Sequence, residues 1–225
     1  MAGATVVRPF DIRIAHELRG QRPQSNGILH AGATGFRLFG NPGAFLTGAA
    51  LYAIGRVDGQ RRTEQLGLHA FEAQLFTHLS VGLVKAVVGR ARPLADIDNS
   101  VNFGFMRGLK DDRYRSMPSG HTASAFALAS VVSSETVRWW PHSRWTIGTI
   151  VYGAAGLTGI SRMYTNDHWA SDVLIGGAIG TIVGIKTFKY THSHPDNWAD
   201  RKLLRAGVQI SNDRTLAPIL AVTRR

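Results

Sequence analysis

Apolar residues along this chain recur at helical spacing, and no stretch alternates in the manner of a strand. Asp11 to Arg19 reads as a short amphipathic helix with Ile12, Ala15 and Leu18 on one side. Gln21 to Asn26 reads as a polar loop, and Ile28 to Phe39 as a weakly helical, glycine-spaced segment. At Asn41-Pro42 the pattern predicts a helix start, with Asn as N-cap and Pro in the first turn. The small apolar stretch Gly43 to Gly55 follows, then a charged turn from Arg56 to Glu64. Leu66 to Val88 is a long helical stretch broken by His69, Glu72, Gln74, His78 and Lys85. Gly89 to Ser119 is a long polar loop, and a loop of that length inside a compact domain is usually functional.

Three more helices are expected at about His121 to Val137, Trp145 to Ile160 and Trp169 to Lys189. Gly176, Gly180 and Gly184 fall at i, i+4 and i+8, a stripe that lets helices approach closely. The predicted fold is therefore all-α, a bundle of about five to six core helices. It divides into an amphipathic or irregular extension over 1–40, the bundle over 41–190, and a basic tail with one short helix over 191–225. No internal repeat is visible.

Composition narrows the picture. With 225 residues, 44% hydrophobic and 18% charged, the chain has the means to bury a core. The formal net charge of +11 favours anionic partners, but does not choose among phosphates, lipid headgroups and nucleic acid. The absence of cysteine excludes disulfides, thiolate metal sites and a cysteine nucleophile.

On membranes the signals divide. No stretch offers the roughly 18 uninterrupted apolar residues of a clear span, and mean hydropathy is −0.05. Yet the helices starting near 121, 145 and 169 are close to membrane length. The turn Arg138 to Trp145 has the Trp and Arg content of an interfacial turn. That turn and the basic end of the last helix lie opposite the loops that carry the chemistry, as the positive-inside rule asks of a cytoplasmic face. Met1 to Phe10 lacks the apolar run of a secretory signal, so an internal membrane signal or a trimmed precursor is expected. The competing reading is a soluble helical bundle with a basic surface.

Three clusters carry candidate chemistry. Lys85 to Pro93 supplies cations: Lys85 ends a helix, Arg92 begins the loop, and fixed cations can neutralise a phosphate dianion and its five-coordinate transition state. Pro118-Ser119-Gly120-His121 reads as a helix start. Ser119 can cap, Gly120 lets a ligand approach the backbone, and His121 in the first turn can protonate a leaving oxygen. Ser161-Arg162 with His168 and Asp172 forms the third. An Asp four residues after a His on a helix can accept the imidazole Nδ1–H and leave Nε2 as the nucleophile, while Arg162 offers a bidentate fork. Each cluster alone also reads as a capped helix, a basic face or a surface hydrogen bond. Arg90 and Arg107 read as added positive field or loop solvation, Asp167 as a loop or cap residue, and His69 and His78 as core or interface polar groups.

Taken in order, Lys85–Arg92-Pro93, Pro118-Ser119-Gly120-His121 and Ser161-Arg162–His168–Asp172 resemble the three motifs of the type 2 phosphatidic acid phosphatase family, over residues 40–190. That family shares its helical fold with class A acid phosphatases and vanadium haloperoxidases. The resemblance implies phosphate binding by Lys85, Arg92, Ser119, Gly120 and Arg162. It implies attack by His168 to form a phosphohistidine, orientation of His168 by Asp172, and proton transfer by His121. No cofactor or metal is then expected, and vanadate should inhibit.

The implied protein is a metal-independent phosphatase acting on a lipid monoester or diphosphate, membrane-bound, with its site on the extracytoplasmic (periplasmic) side and no nucleic-acid partner. Three alternatives stand beside it: an exported soluble acid phosphatase, a haloperoxidase, and a non-catalytic anion-binding membrane module. One departure is plain. Family members usually show six clean spans, whereas this chain shows weaker segments and an amphipathic start.

Overall fold

The computed structural model describes residues 10–204. Among these residues every regular element is helical. Helix α1 spans Asp11–Arg19, α2 Gly27–Leu38, α3 Ala44–Val57, α4 Arg61–Val88, α5 Gly120–Trp139, α6 Arg144–Tyr164, α7 Ala170–Ser193 and α8 Trp198–Leu203. The segment expected to loop at Gln21 instead makes one helical turn, Gln21–Gln24. α4 begins five residues before the expected Leu66, so the charged turn shrinks to a few residues around Gly59. The rest of the basic tail lies outside the described residues.

Asn41 behaves differently from a plain N-cap. Its backbone is extended (φ −160°, ψ 124°), and it separates α2 from α3 within the tight Phe39–Gly43 segment. α3 and α4 form a close antiparallel hairpin, and α5 packs against α4, α6 and most extensively α7. The α5–α7 contact explains the glycine stripe. A Cβ at Gly176 would collide with the Ser119 carbonyl, one at Gly180 with the Ala123 carbonyl, and one at Gly184 with Ala127 and Ser130. The N-terminal helices α1 and α2 lie against α6.

The interior is small and polar, while the flanks are large and apolar. Buried positions on the core helices are mainly Ala, Gly, Ser and Thr, with Gln74, Glu135 and His69 also inside. Many hydroxyls are satisfied locally by the preceding turn, as in Ser130 to the Phe126 carbonyl and Thr158 to the Ala154 carbonyl. The outer faces carry Leu75, Phe76, Leu79 and Leu83 on α4, Ile150 and Leu157 on α6, and Leu174 and Ile182 on α7, all exposed. Apolar weight that lies outside while polar weight lies inside gives a near-zero mean hydropathy. Among the described residues, one helix, Ala170–Ser193, is long and apolar enough to cross a membrane.

Candidate active site

The cavity forms where four helix ends meet: the C-termini of α4 and α6 and the N-termini of α5 and α7. Gly89 ends α4 in the left-handed region (φ 56°), a cap that favours glycine, and a Cβ there would also strike the Gly104 carbonyl. That turn sends the long loop back over the helix ends. The resulting cavity of about 250 Å³ is lined by Lys85, Arg92, Gly120, His121, Arg162 and His168 among others. Six of the eight residues singled out from sequence thus share one wall.

The two remaining residues stand behind it. Ser119 is buried at the N-cap of α5, but its hydroxyl meets Thr122 Oγ1 at 2.8 Å rather than a backbone N–H, and its own N–H donates to the Asp172 carbonyl. Asp172 also differs from the helical His–Asp pair expected. His168 lies two residues ahead of α7, so helical i, i+4 geometry does not apply, and its Nδ1 is 4.0 Å from Asp172 Oδ2. The imidazole Nδ1–H instead donates to the Ser116 carbonyl at 2.6 Å. Asp172 holds that segment from behind: Oδ2 accepts from the Ser116 hydroxyl at 2.5 Å and from the Trp169 N–H at 3.0 Å. The physical reason is that an acid at the third helical position satisfies the orphan donors of its own helix start.

A backbone carbonyl only accepts, so the contact at Ser116 fixes the His168 tautomer with Nδ1 protonated and Nε2 carrying the lone pair. His168 is held well below its ordinary pKa of 6.5, first by burial and then by the charges of Lys85, Arg92 and Arg162. The ring is neutral near pH 7.

The cations are pre-placed by acids. Arg162 Nη2 pairs with Asp167 Oδ2 at 2.7 Å, and Arg92 Nη1 approaches Asp167 Oδ1 at 3.4 Å. Arg92 is also held by Asp112, through the backbone carbonyl and the carboxylate. Lys85 Nζ donates to the Arg115 carbonyl. Arg162 is buried, yet its Nε and Nη1 have no hydrogen-bond partner among the described residues. Unpaired buried donors are rare because each costs about 1–3 kcal/mol. Two of them on the wall of an otherwise cationic cavity define a place for an oxyanion.

Sequence reasoning missed several participants. Arg90 is fully buried rather than a source of loop charge. It donates to Asp172 at 2.5 Å, Asp11 at 2.8 Å, Ser171 at 2.7 Å and the Ser100 carbonyl. Asp11, from the N-terminal extension, accepts from both the backbone N–H and hydroxyl of Ser171 at the start of α7. Asp167 proves to be the counter-charge shared by two arginines, and Asn41 and His78 line the cavity. Arg107 lies over the Tyr114 ring, 3.5 Å from its centroid.

Histidines and cations gathered at converging helix ends suit an anionic ligand. Residues 66–195 match the PAP2 superfamily, more than half of the chain, and the chain belongs to that family. It is similar to the lipid A 1-phosphatase of Porphyromonas gingivalis, with 49% identity over 69 residues. That match covers 31% of this chain and 15% of the relative's own length. Among solved structures it resembles LpxE of Aquifex aeolicus (TM-score 0.58, 23% identity), covering 80% of this chain and 96% of that one. It also resembles a transmembrane PAP2-type phosphatidylglycerolphosphate phosphatase from Bacillus subtilis (TM-score 0.53, 19% identity), covering 86% and 98%. At these identities the two structures speak for the fold.

Proposed function

We propose that this protein is a phosphatase that hydrolyses a phosphate monoester or diphosphate on a lipid through a phosphohistidine at His168. The observation that carries the reading is the pair of unpartnered Arg162 donors on a cavity that also holds a neutral His168 of fixed tautomer. Lys85, Arg92, Arg162 and the N–H groups at Gly120 take the phosphoryl oxygens. The His168 Nε2 lone pair attacks phosphorus in line, and the bond to the leaving oxygen breaks as His121 passes that oxygen the proton it takes up from the monoanionic phosphate group on binding. Water then attacks phosphorus, giving its proton to His121, and the N–P bond breaks to release phosphate. The developing equatorial charge meets cations already held in place by Asp167 and Asp112, so little reorganisation is needed. Asp172 acts through Ser116, whose carbonyl it steadies. Ser119 supports the α5 start from behind the wall rather than touching phosphate through its hydroxyl.

Cavity size favours a substrate that enters only by its phosphate end. The cavity measures about 250 Å³, below the roughly 300–1,000 Å³ that encloses a drug-sized ligand. The outward leucines and isoleucines of α4, α6 and α7 support a membrane setting in which the remainder of the substrate stays in lipid. The exposed Trp140 and Trp145 mark the interface at the opposite, basic end. Taken with the positive-inside rule, the basic end supports a cytoplasmic face there and a cavity on the extracytoplasmic side. The similarity to lipid A and phosphatidylglycerolphosphate phosphatases supports a lipid phosphate as the substrate class.

The test is phosphate release from purified protein in detergent with EDTA, comparing long-acyl lipid phosphates with short soluble esters. Faster turnover of the lipid, undiminished by EDTA, is expected. Equal or faster turnover of soluble esters overturns the lipid reading, and loss of activity in EDTA overturns a metal-free reaction. Vanadate should inhibit as a five-coordinate mimic. Full activity at millimolar vanadate, or halide oxidation in its presence, contradicts the assignment.

A further inference from the structure

The opposite end of the bundle holds a second polar cluster that the phosphatase reaction does not use. His69 of α4, Glu135 of α5 and His192 of α7 converge there, with Asp200 of α8 beside them. His69 sits sixteen residues before Lys85 on α4, which places the cluster about 24 Å from the phosphate cavity at 1.5 Å per residue. The three ligand atoms of His69, Glu135 and His192 lie within 4.8 Å of one another. His69 Nδ1 and His192 Nε2 both meet Glu135 Oε1, at 2.7 and 2.9 Å, and His69 Nε2 faces Asp200 Oδ1 at 3.5 Å.

Proton counting shows what is missing. Each neutral imidazole has one N–H, and here both are directed at a single carboxylate oxygen. His69 Nε2 faces the Asp200 carboxylate as well, so without a metal ion on Nδ1 the ring must carry a second proton to meet both carboxylates. His69 Nε2, Glu135 Oε2 and Asp200 Oδ1 are all buried without a hydrogen-bond partner among the described residues. His69 and Glu135 are essentially inaccessible, with side chains 2% and 0% exposed. A buried group of unsatisfied acceptors calls for a cation. The cluster opens onto a cavity of about 430 Å³ that reaches His69, His192 and Asp200, giving an ion a route of entry.

We propose that this end of the bundle binds a divalent transition-metal ion of the zinc class through His69 Nδ1, Glu135 and His192, with Asp200 accepting from His69 Nε2–H behind the ligand set. Two imidazoles and a carboxylate suit zinc rather than magnesium or calcium, which prefer all-oxygen shells. Ligand distances of about 2.0–2.2 Å space tetrahedral donors roughly 3.3–3.6 Å apart. The present N···O separations need to widen by less than an ångström. The ion would tie α4, α5 and α7 together and take no part in catalysis, so the site is independent of the function proposed above.

The experiment measures zinc in the full chain, purified in detergent without a histidine tag, after equilibration with zinc and removal of excess. About one zinc per chain is expected, along with a rise in Tm on zinc addition and the intense visible bands of tetrahedral Co²⁺ after cobalt exchange. His192→Ala and Glu135→Gln should each lose the bound zinc and the cobalt bands. His192→Ala, at the more exposed ligand, should keep its phosphate release within about twofold. If Glu135→Gln does not fold, His192→Ala and the cobalt spectrum of the unaltered protein decide. Background zinc in the unaltered chain, or a full complement retained by His192→Ala, overturns the proposal.

Discussion

The two ends of the bundle are built from the same helices but leave opposite needs unmet. At the end formed by the α4 and α6 C-termini and the α5 and α7 N-termini, buried donors are in excess: Arg162 Nε and Nη1 face a cavity with Lys85 and Arg92. At the other end, buried acceptors are in excess: Glu135 Oε2 and Asp200 Oδ1, among the described residues. Since a buried polar atom is costly until paired, the sign of the surplus reads out the charge of the absent partner. The first end asks for an oxyanion, the second for a cation.

The sharpest way to break the comparison is to remove the donor surplus at one end only. Arg162→Lys keeps a charge but loses the fork. It should lower kcat/KM for phosphate release by about 10²–10³-fold, with zinc content unchanged. A loss below tenfold would mean the unpaired donors do not face the reacting phosphate.

A second variant probes how far the anion end depends on the N-terminal extension. Asp11→Ala takes one of two carboxylates from buried Arg90, which keeps Asp172, and leaves the Ser171 N–H without its acceptor. Leaving those buried donors unmet costs about 1–3 kcal/mol, equivalent to a Tm drop of roughly 3–10 °C. Thermal unfolding of the variant in detergent checks this, and an unchanged Tm would detach α1 from the site.

The smallest expected effect is in pH dependence. His168 is held below its ordinary value of 6.5, so the folded chain keeps it neutral where the unfolded chain protonates it. Below pH 6.5 this group therefore favours unfolding, by at most about 1.4 kcal/mol per pH unit. Its contribution vanishes above that pH. For the same reason the acid limb of kcat/KM should fall below pH 6.5. A limb above it would require a solvated, protonated histidine.

How much of this was visible in the text of the chain depends on whether the cause was local. Helix positions followed from apolar spacing, and the close α5–α7 contact from Gly176, Gly180 and Gly184, because both are properties of single segments. The gathering of His121, His168, Lys85, Arg92 and Arg162 was legible through three ordered motifs. The Ser116 carbonyl under His168 was not, since any residue supplies a carbonyl. Asp11 and Arg90 lie 79 positions apart, and nothing in either segment marks the other. Membrane character was blurred for a physical reason: hydropathy averages over faces, and here the polar face of each helix points inward.

The central claim is that phosphorus is transferred to His168 Nε2, and rapid acid-free quenching of turnover with a ³²P-labelled lipid phosphate tests it directly. Base-stable, acid-labile label on the tryptic peptide spanning 163–186 is expected, absent in His168→Ala, which should also lose at least about 10³-fold in phosphate release. Label on another residue, or undiminished turnover by His168→Ala, would contradict it.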